Sequence, residues 1–217
     1  MSTTLTKSAG RSRRQLLIAA AGSWVTSALP AWALEKTPRL TEGPFYPRPV
    51  DMPLDDDNDL TRIKGKQGVA RGTLIDLTGR VVDNSGKAVV AAIMEIWQCN
   101  HYGRYHDGRD DSPLPRDPFF QGFGKTTTDA EGRFRFRTIR PVAYPGRVPH
   151  IHFKVKGGSF NELTSQLFIA GDAGLEKDAI WRSLRTAELK KQMTIDLAPA
   201  AANSGVSLAG YFEIMLG

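Results

Sequence analysis

Hydrophobic positions from about residue 70 onward fall into short runs separated by turn-forming residues, and the runs carry the two-residue period of strands. Residues 73–82 (Thr-Leu-Ile-Asp-Leu-Thr-Gly-Arg-Val-Val) read as a first strand, and Asp83-Asn84-Ser85-Gly86 as the turn that ends it. Residues 89–97 (Val-Val-Ala-Ala-Ile-Met-Glu-Ile-Trp) read as a second strand and 124–128 as a third, followed by the turn Asp129-Ala130-Glu131-Gly132. Phe134 and Phe136 then alternate with arginines, as on a half-buried sheet. Residues 151–156, 165–170 and 207–215 complete the strand set, and only the stretch near 174–191 has a helical pattern. Many short strands with turn chemistry between them predict an all-β fold, a two-sheet β-sandwich with few short helices. Residues 34–67 lack this periodicity. They hold repeated prolines and the acidic run Asp55-Asp56-Asp57, which predicts an extended N-terminal arm over the surface of a domain spanning 68–217. No internal repeat stands out.

The first 33 residues are of a different kind. Lys7, Arg11, Arg13 and Arg14 precede an apolar stretch that ends in Ala31-Trp32-Ala33. Small residues flanking Trp32 fit a signal-peptidase site, with cleavage before Leu34. The adjacent Arg13-Arg14, followed by Gln15 and two leucines, reads as a twin-arginine export signal over residues 1–33. The expected location is therefore periplasmic or secreted. Serine, threonine and glycine within the apolar stretch argue against a stable membrane span after processing. This segment also changes the meaning of the formal charge of +6. Four of the 29 Lys and Arg residues lie in it, with no acidic residue, so 25 face 23 Asp and Glu in the rest of the chain. That near balance removes the electrostatic case for nucleic-acid binding. Cys99 is the single cysteine, which excludes an intrachain disulfide framework, and its apolar setting predicts a buried packing thiol.

Candidate chemistry starts at His150-Ile151-His152. Residues two apart on a strand share a face, so both imidazoles project together while Ile151 points into the other layer. Such a pair alone is as often a surface or structural pair as a ligand pair. The segment leading into it is Tyr144-Pro145-Gly146-Arg147-Val148-Pro149. Its prolines stiffen the loop and Gly146 permits a sharp turn, which would fix the Tyr144 ring and the Arg147 head near the histidines.

Here the chain resembles the intradiol ring-cleavage dioxygenases, and in particular the protocatechuate 3,4-dioxygenase subunits. The resemblance runs from Thr41-Glu42-Gly43-Pro44-Phe45-Tyr46-Pro47 through Trp97-Gln98-Cys99-Asn100 and Gly103-Arg104-Tyr105. It continues over residues 128–132 and 136–141 to Tyr144, Arg147-Val148-Pro149-His150-Ile151-His152 and Gln166. It implies that Tyr105, Tyr144, His150 and His152 ligate iron(III), with Tyr144 and His152 axial and Tyr105 and His150 equatorial. Two phenolates beside two imidazoles suit that hard cation better than zinc or copper(I). It further implies a catechol-type substrate and O2, opening of the ring between its hydroxylated carbons, and a muconate-type diacid as product. Tyr144 would yield its place to the substrate, and Arg147 would stabilise the negative charge that develops on the ring. Gln166 would support the substrate pocket near Arg147, and Tyr46 in the arm could reach that pocket or cap the core. His101 and His106 flank Tyr105 but fall outside the family pattern and read as loop or pocket-rim residues; Trp97 reads as core. The interval from Tyr144 to His150 is shorter than in the protocatechuate enzymes, and the helical dimerisation domain of the catechol branch is lacking. A homo-oligomer, or a related second subunit completing the pocket, is the expected assembly. Two other readings compete: an exported binding module that keeps the fold without catalysis, and a zinc or copper site on the same sandwich.

Overall fold

The computed structural model describes residues 35–51, 55–158 and 160–217, so the expected export signal at 1–33 lies outside the described residues. Strand β1 (Leu74–Val82) shows the turn and strand chemistry at work. It pairs antiparallel with β4 (Arg133–Ile139), in which Phe134 and Phe136 are buried and Arg133 and Arg135 are exposed. On its other side β1 pairs in parallel with β9 (Leu208–Met215), and β8 (Ala198–Pro199) closes a sheet of order β4-β1-β9-β8. The second sheet has the order β3-β2-β5-β6-β7, formed by β2 (Ile93–Trp97), β3 (Phe123–Thr127), β5 (His150–Lys156), β6 (Leu163–Ile169) and β7 (Thr194–Ile195). Phe212 of the first sheet packs edge-on to Phe134 and against Phe153 of the second, at 5.3 and 5.6 Å between ring centroids. The inner faces of the two sheets thus meet in one apolar core, with Leu77, Phe136, Ile151, Val155 and Ile214 among its fully buried members. This is the β-sandwich that the alternation predicts.

Three local features differ from the sequence expectation. Residues 89–92 are not strand, although all four are apolar and Val89 and Val90 are β-branched. Here the chain crosses from one sheet to the other, Ala91 takes φ 58°, and the Thr128 hydroxyl bridges the corner by accepting from the Ala92 amide and donating to the Val89 carbonyl. The helical stretch divides into a 3-10 turn at Leu175–Lys177, α1 (Ala179–Arg182) and α2 (Ala187–Gln192), because Asp178 and Thr186 each cap a new helix start. The arm is not only a surface strap. Its amides at Thr37 and Leu40 donate to the Met215 and Thr164 carbonyls, and farther along Leu60 enters the main core with no exposed surface.

β5 and β6 are buried on both faces for the same reason. Ile151, Phe153 and Val155 face the core, while His150, His152 and Lys154 face outward under the arm. Lys154 fastens it there. Its ammonium donates to Glu42 at 2.6 Å and sits 3.7 Å from the centre of the Tyr46 ring. Arm and outer face of the second sheet enclose the candidate site between them.

Candidate metal centre

Register places the first components. Trp97 of β2 and Gln166 of β6 flank His152 of β5 directly, so the three side chains form a row on the outer face. The Trp97 ring stacks on the His152 ring at 4.8 Å between centroids and 10° between planes. Tyr144 and Arg147 are brought in by a tight turn. Each donates its backbone amide to the other's carbonyl, at 3.2 and 2.9 Å, with Pro145 and Gly146 (φ 82°) between them. Proline followed by a positive-φ glycine is the signature of a type II turn. Tyr105 leaves a second tight turn, in which Asn100 Oδ1 accepts from the Tyr102 and Arg104 amides; the Tyr105 amide then donates to Asp110 at 2.7 Å.

The four expected ligands converge. His150 Nε2 lies 3.2 Å from His152 Nε2 and 3.5 Å from the Tyr144 hydroxyl. The Tyr105 ring is edge-on to Tyr144 at 5.7 Å and lies 6.3 Å from His152 between centroids. His150 Nδ1 is 2.6 Å from the Val148 carbonyl, which can only accept, so Nδ1 carries the proton and Nε2 offers a lone pair. Burial drives His150 down to about 4 and His152 well below its ordinary value, so both are neutral at pH 7. Burial pushes the Tyr105 phenol well above its usual value, and Tyr144 is also raised by burial, against the pull of Tyr105 and Arg147. The Tyr105 hydroxyl and His152 Nδ1 are buried with no hydrogen-bond partner among the described residues.

These observations fit a hard cation. A buried phenol oxygen without a partner and two imidazole nitrogens facing each other are costly in a dry site. A trivalent ion that draws the phenols into their anionic form resolves both. Tyr105, Tyr144, His150 and His152 are the residues that can hold it. Among the described residues, no three His, Cys, Asp or Glu side chains come together as a metal-holding group. His106 sits apart, edge-on to Phe120 at 6.0 Å, with burial lowering it to about 4, and His101 is exposed.

Arg147 reaches the site from its turn and is held from two sides. Its Nε donates to Asp178 at 2.8 Å, and its Nη2 donates to Gln166 Oε1 at 2.6 Å. Gln166 Nε2 in turn donates to the Thr41 carbonyl of the arm at 2.8 Å. Tyr46 takes a supporting position. Its ring is edge-on to Trp97 at 4.9 Å, and its hydroxyl donates to Glu95 and accepts from Lys156, pointing along the sheet and away from the four ligands. Sequence reasoning missed Asp178 and Gly43. Asp178 is recognisable as a helix cap, but its tie to Arg147 spans 31 residues and is visible only in three dimensions. Gly43 adopts φ 71°, and a Cβ there would lie 3.2 Å from His152 Cε1.

A family model described as dioxygenase matches residues 41–217. The protocatechuate 3,4-dioxygenase beta chain of Burkholderia cepacia is 39% identical over 171 residues, covering 74% of this chain and 71% of that protein. Catechol 1,2-dioxygenase 2 of Acinetobacter lwoffii is 31% identical over 180 residues, covering 71% of this chain and 62% of its own length. Among solved structures, the dioxygenase domain of a dioxygenase carbohydrate-binding protein fusion from Streptomyces sp. SirexAA-E superposes with a TM-score of 0.63 at 25% identity, over 84% of this chain and 98% of that one. An intradiol ring-cleavage dioxygenase from Tetranychus urticae, at 21% identity and a TM-score of 0.64 over 85% of this chain and 95% of its own, shares the fold.

Proposed function

The chain belongs to the intradiol ring-cleavage dioxygenase family, whose members are oxidoreductases that use iron(III), and we propose that it holds this ion on Tyr105, Tyr144, His150 and His152. The observation that carries the reading is the meeting of two phenols and two neutral imidazoles, with the Tyr105 hydroxyl buried and unpartnered among the described residues. The ion would supply the electron withdrawal that makes a chelated catechol reactive toward O2. The chain's own groups would do the rest. Tyr144 is the least enclosed of the four, so its oxygen, which would be a phenolate with the ion bound, is suited to take up a proton from an incoming catechol. Arg147 holds its positive charge beside the site, where it opposes the negative charge that develops on the ring. Gln166 keeps the guanidinium in place, while Tyr46 braces Trp97 behind His152. One catechol and one O2 combine into a muconate-type diacid, with no other reactant. The likeness to a protocatechuate enzyme favours protocatechuate or another catechol as substrate, and likeness to a protein named as a beta chain favours assembly with a second copy or a related subunit.

An oxygen-electrode screen of the iron-loaded protein against catechol, protocatechuate, hydroxyquinol and larger diphenols tests activity and substrate together. Uptake of one O2 per ring opened is expected with at least one of them. Binding of catechols without oxygen uptake would overturn catalysis in favour of a binding module. For residues 1–33 we propose export by the twin-arginine route, on the strength of Arg13-Arg14 and Ala31-Trp32-Ala33. Replacing both arginines by lysine should leave the protein in the cytoplasmic fraction, and unchanged export would refute the assignment.

A further inference from the structure

The best-enclosed charge near the site belongs to none of the residues assigned so far. The Asp178 side chain is fully buried, and it collects four donors. Oδ1 accepts from the Ile180 and Trp181 amides at 2.9 and 3.0 Å, which caps α1. Oδ2 accepts from Arg147 Nε at 2.8 Å and from the Val148 amide at 3.3 Å. One oxygen thus serves the helix and the other serves the Tyr144–Arg147 turn. Burial alone would raise this carboxyl, but Arg147 and the amides outweigh it and hold it below the ordinary range. Arg147 itself keeps only 17% of its side chain exposed. With Nε on Asp178 and Nη2 on Gln166, two nitrogens of the planar fork are held. Its other N–H groups make no further hydrogen bond within 3.5 Å among the described residues, and the guanidinium lies near enough to pull on the Tyr144 phenol.

We propose that Asp178 is a positioning residue for catalysis: it orients the Arg147 guanidinium so that its unpaired N–H groups face the catechol ring. This rests on the role given to Arg147 in the proposed function. A guanidinium on a flexible stem loses rotamer freedom when it binds, whereas one clamped beforehand acts at no such cost in the transition state. The Gln166 contact alone leaves the head free to rotate about a single bond. The pair of contacts fixes its plane.

The variant Asp178→Asn separates the two oxygens' tasks. Asparagine caps a helix about as well as aspartate, so α1 is retained. Its amide NH2 would then face Arg147 Nε and the Val148 amide, donor against donor. The first measurement needs neither iron nor substrate. In the nitrogen-15 spectrum of the unloaded protein, the Arg147 Nε–H should be shifted and slow to exchange in the parent, and should revert to an ordinary solvent-exchanging signal in Asp178→Asn. The second measures turnover of the iron-loaded protein with the catechol it cleaves fastest. Asp178→Asn should lower kcat by about a hundredfold, the size expected for a misplaced catalytic group, with the visible absorption band unchanged. In an Arg147→Lys background, which removes the fork, the same change should cost no further activity. Asp178→Glu, which keeps the charge, should recover part of the loss and covers the case in which the asparagine variant folds poorly. A persistent, protected Arg147 signal in Asp178→Asn, or losses that multiply in the double variant, would overturn the proposal. A parent protein inactive on every catechol would instead overturn the proposed function, while the spectrum still decides whether Asp178 holds Arg147.

Discussion

Gly43 shows how one residue in the arm bears on a side chain far away in sequence. Its φ of 71° strains any side chain, and a Cβ there would come 3.2 Å from His152 Cε1, so the imidazole would have to give by a few tenths of an ångström. Gly43→Ala should cost about 1–2 kcal/mol from the left-handed backbone alone. It should also lower the iron bound per chain by pressing on His152, which thermal melts and metal analysis of the purified variant can check. Full stability together with full iron content would show that the arm does not seat this imidazole. At this scale the sequence was partly legible. Strand alternation made His150 and His152 face together, and Pro145-Gly146 marked the turn that presents Tyr144 and Arg147. Tyr105 and Gln166 came from family resemblance, and the structure brings both into the cluster. Asp178 and the Trp97 stack were not legible as site features, because each acts through a contact made only on folding.

The element that organises the site is the arm laid across β5. Glu42, Gly43, Phe45 and Tyr46 touch Lys154, His152, Tyr105 and Trp97 in turn. Sequence period identifies strands well where one face is wet, as in β4, whose arginines alternate with phenylalanines. It says less where both faces are covered. In β5 and β6 the polar His150, His152, Lys154 and Gln166 are as buried as their apolar neighbours, since the arm supplies their partners. The corner at 89–92 and the two-residue strands β7 and β8 escaped for a related reason: tertiary position, not local pattern, decides them. Leu60 tests how firmly the arm belongs to the domain. It is fully buried between the sheets, and Leu60→Ala should destabilise by about 2–5 kcal/mol, as large-to-small core changes do. Urea unfolding gives the value directly. A loss under about 0.5 kcal/mol, the size of a surface substitution, would return this stretch to the surface role that the sequence suggests.

For the molecule as a whole, carboxylates tie the turns to the sandwich. Asp83 is lowered first by its hydrogen bond from Ser85. Asp129 and Asp178 are raised by burial but lowered more by Arg133 and the Glu131 amide, and by Arg147 and the Trp181 amide. Each has a folded value below its unfolded one, so its stabilisation is complete above about pH 4, the ordinary aspartate value, and disappears as the pH falls through the lowered folded values. The melting temperature set by these groups should hold steady above that pH and fall below it. A profile that stays level down to pH 2 would deny them this role. Two of these aspartates stand in turns that the sequence marked plainly, which is why the strand ends beside them were easier to read than the sheet order.

Everything at the centre depends on the two tyrosines and two histidines acting as one donor set. The visible absorption spectrum of the iron-loaded protein tests that most directly, compared with Tyr105→Phe and Tyr144→Phe. Phenolate bound to iron(III) absorbs visible light by charge transfer, so the parent should be burgundy, each single variant should lose part of the band and shift it, and the double variant should be colourless. A parent that stays colourless after iron loading, or a band untouched by both substitutions, would contradict the account.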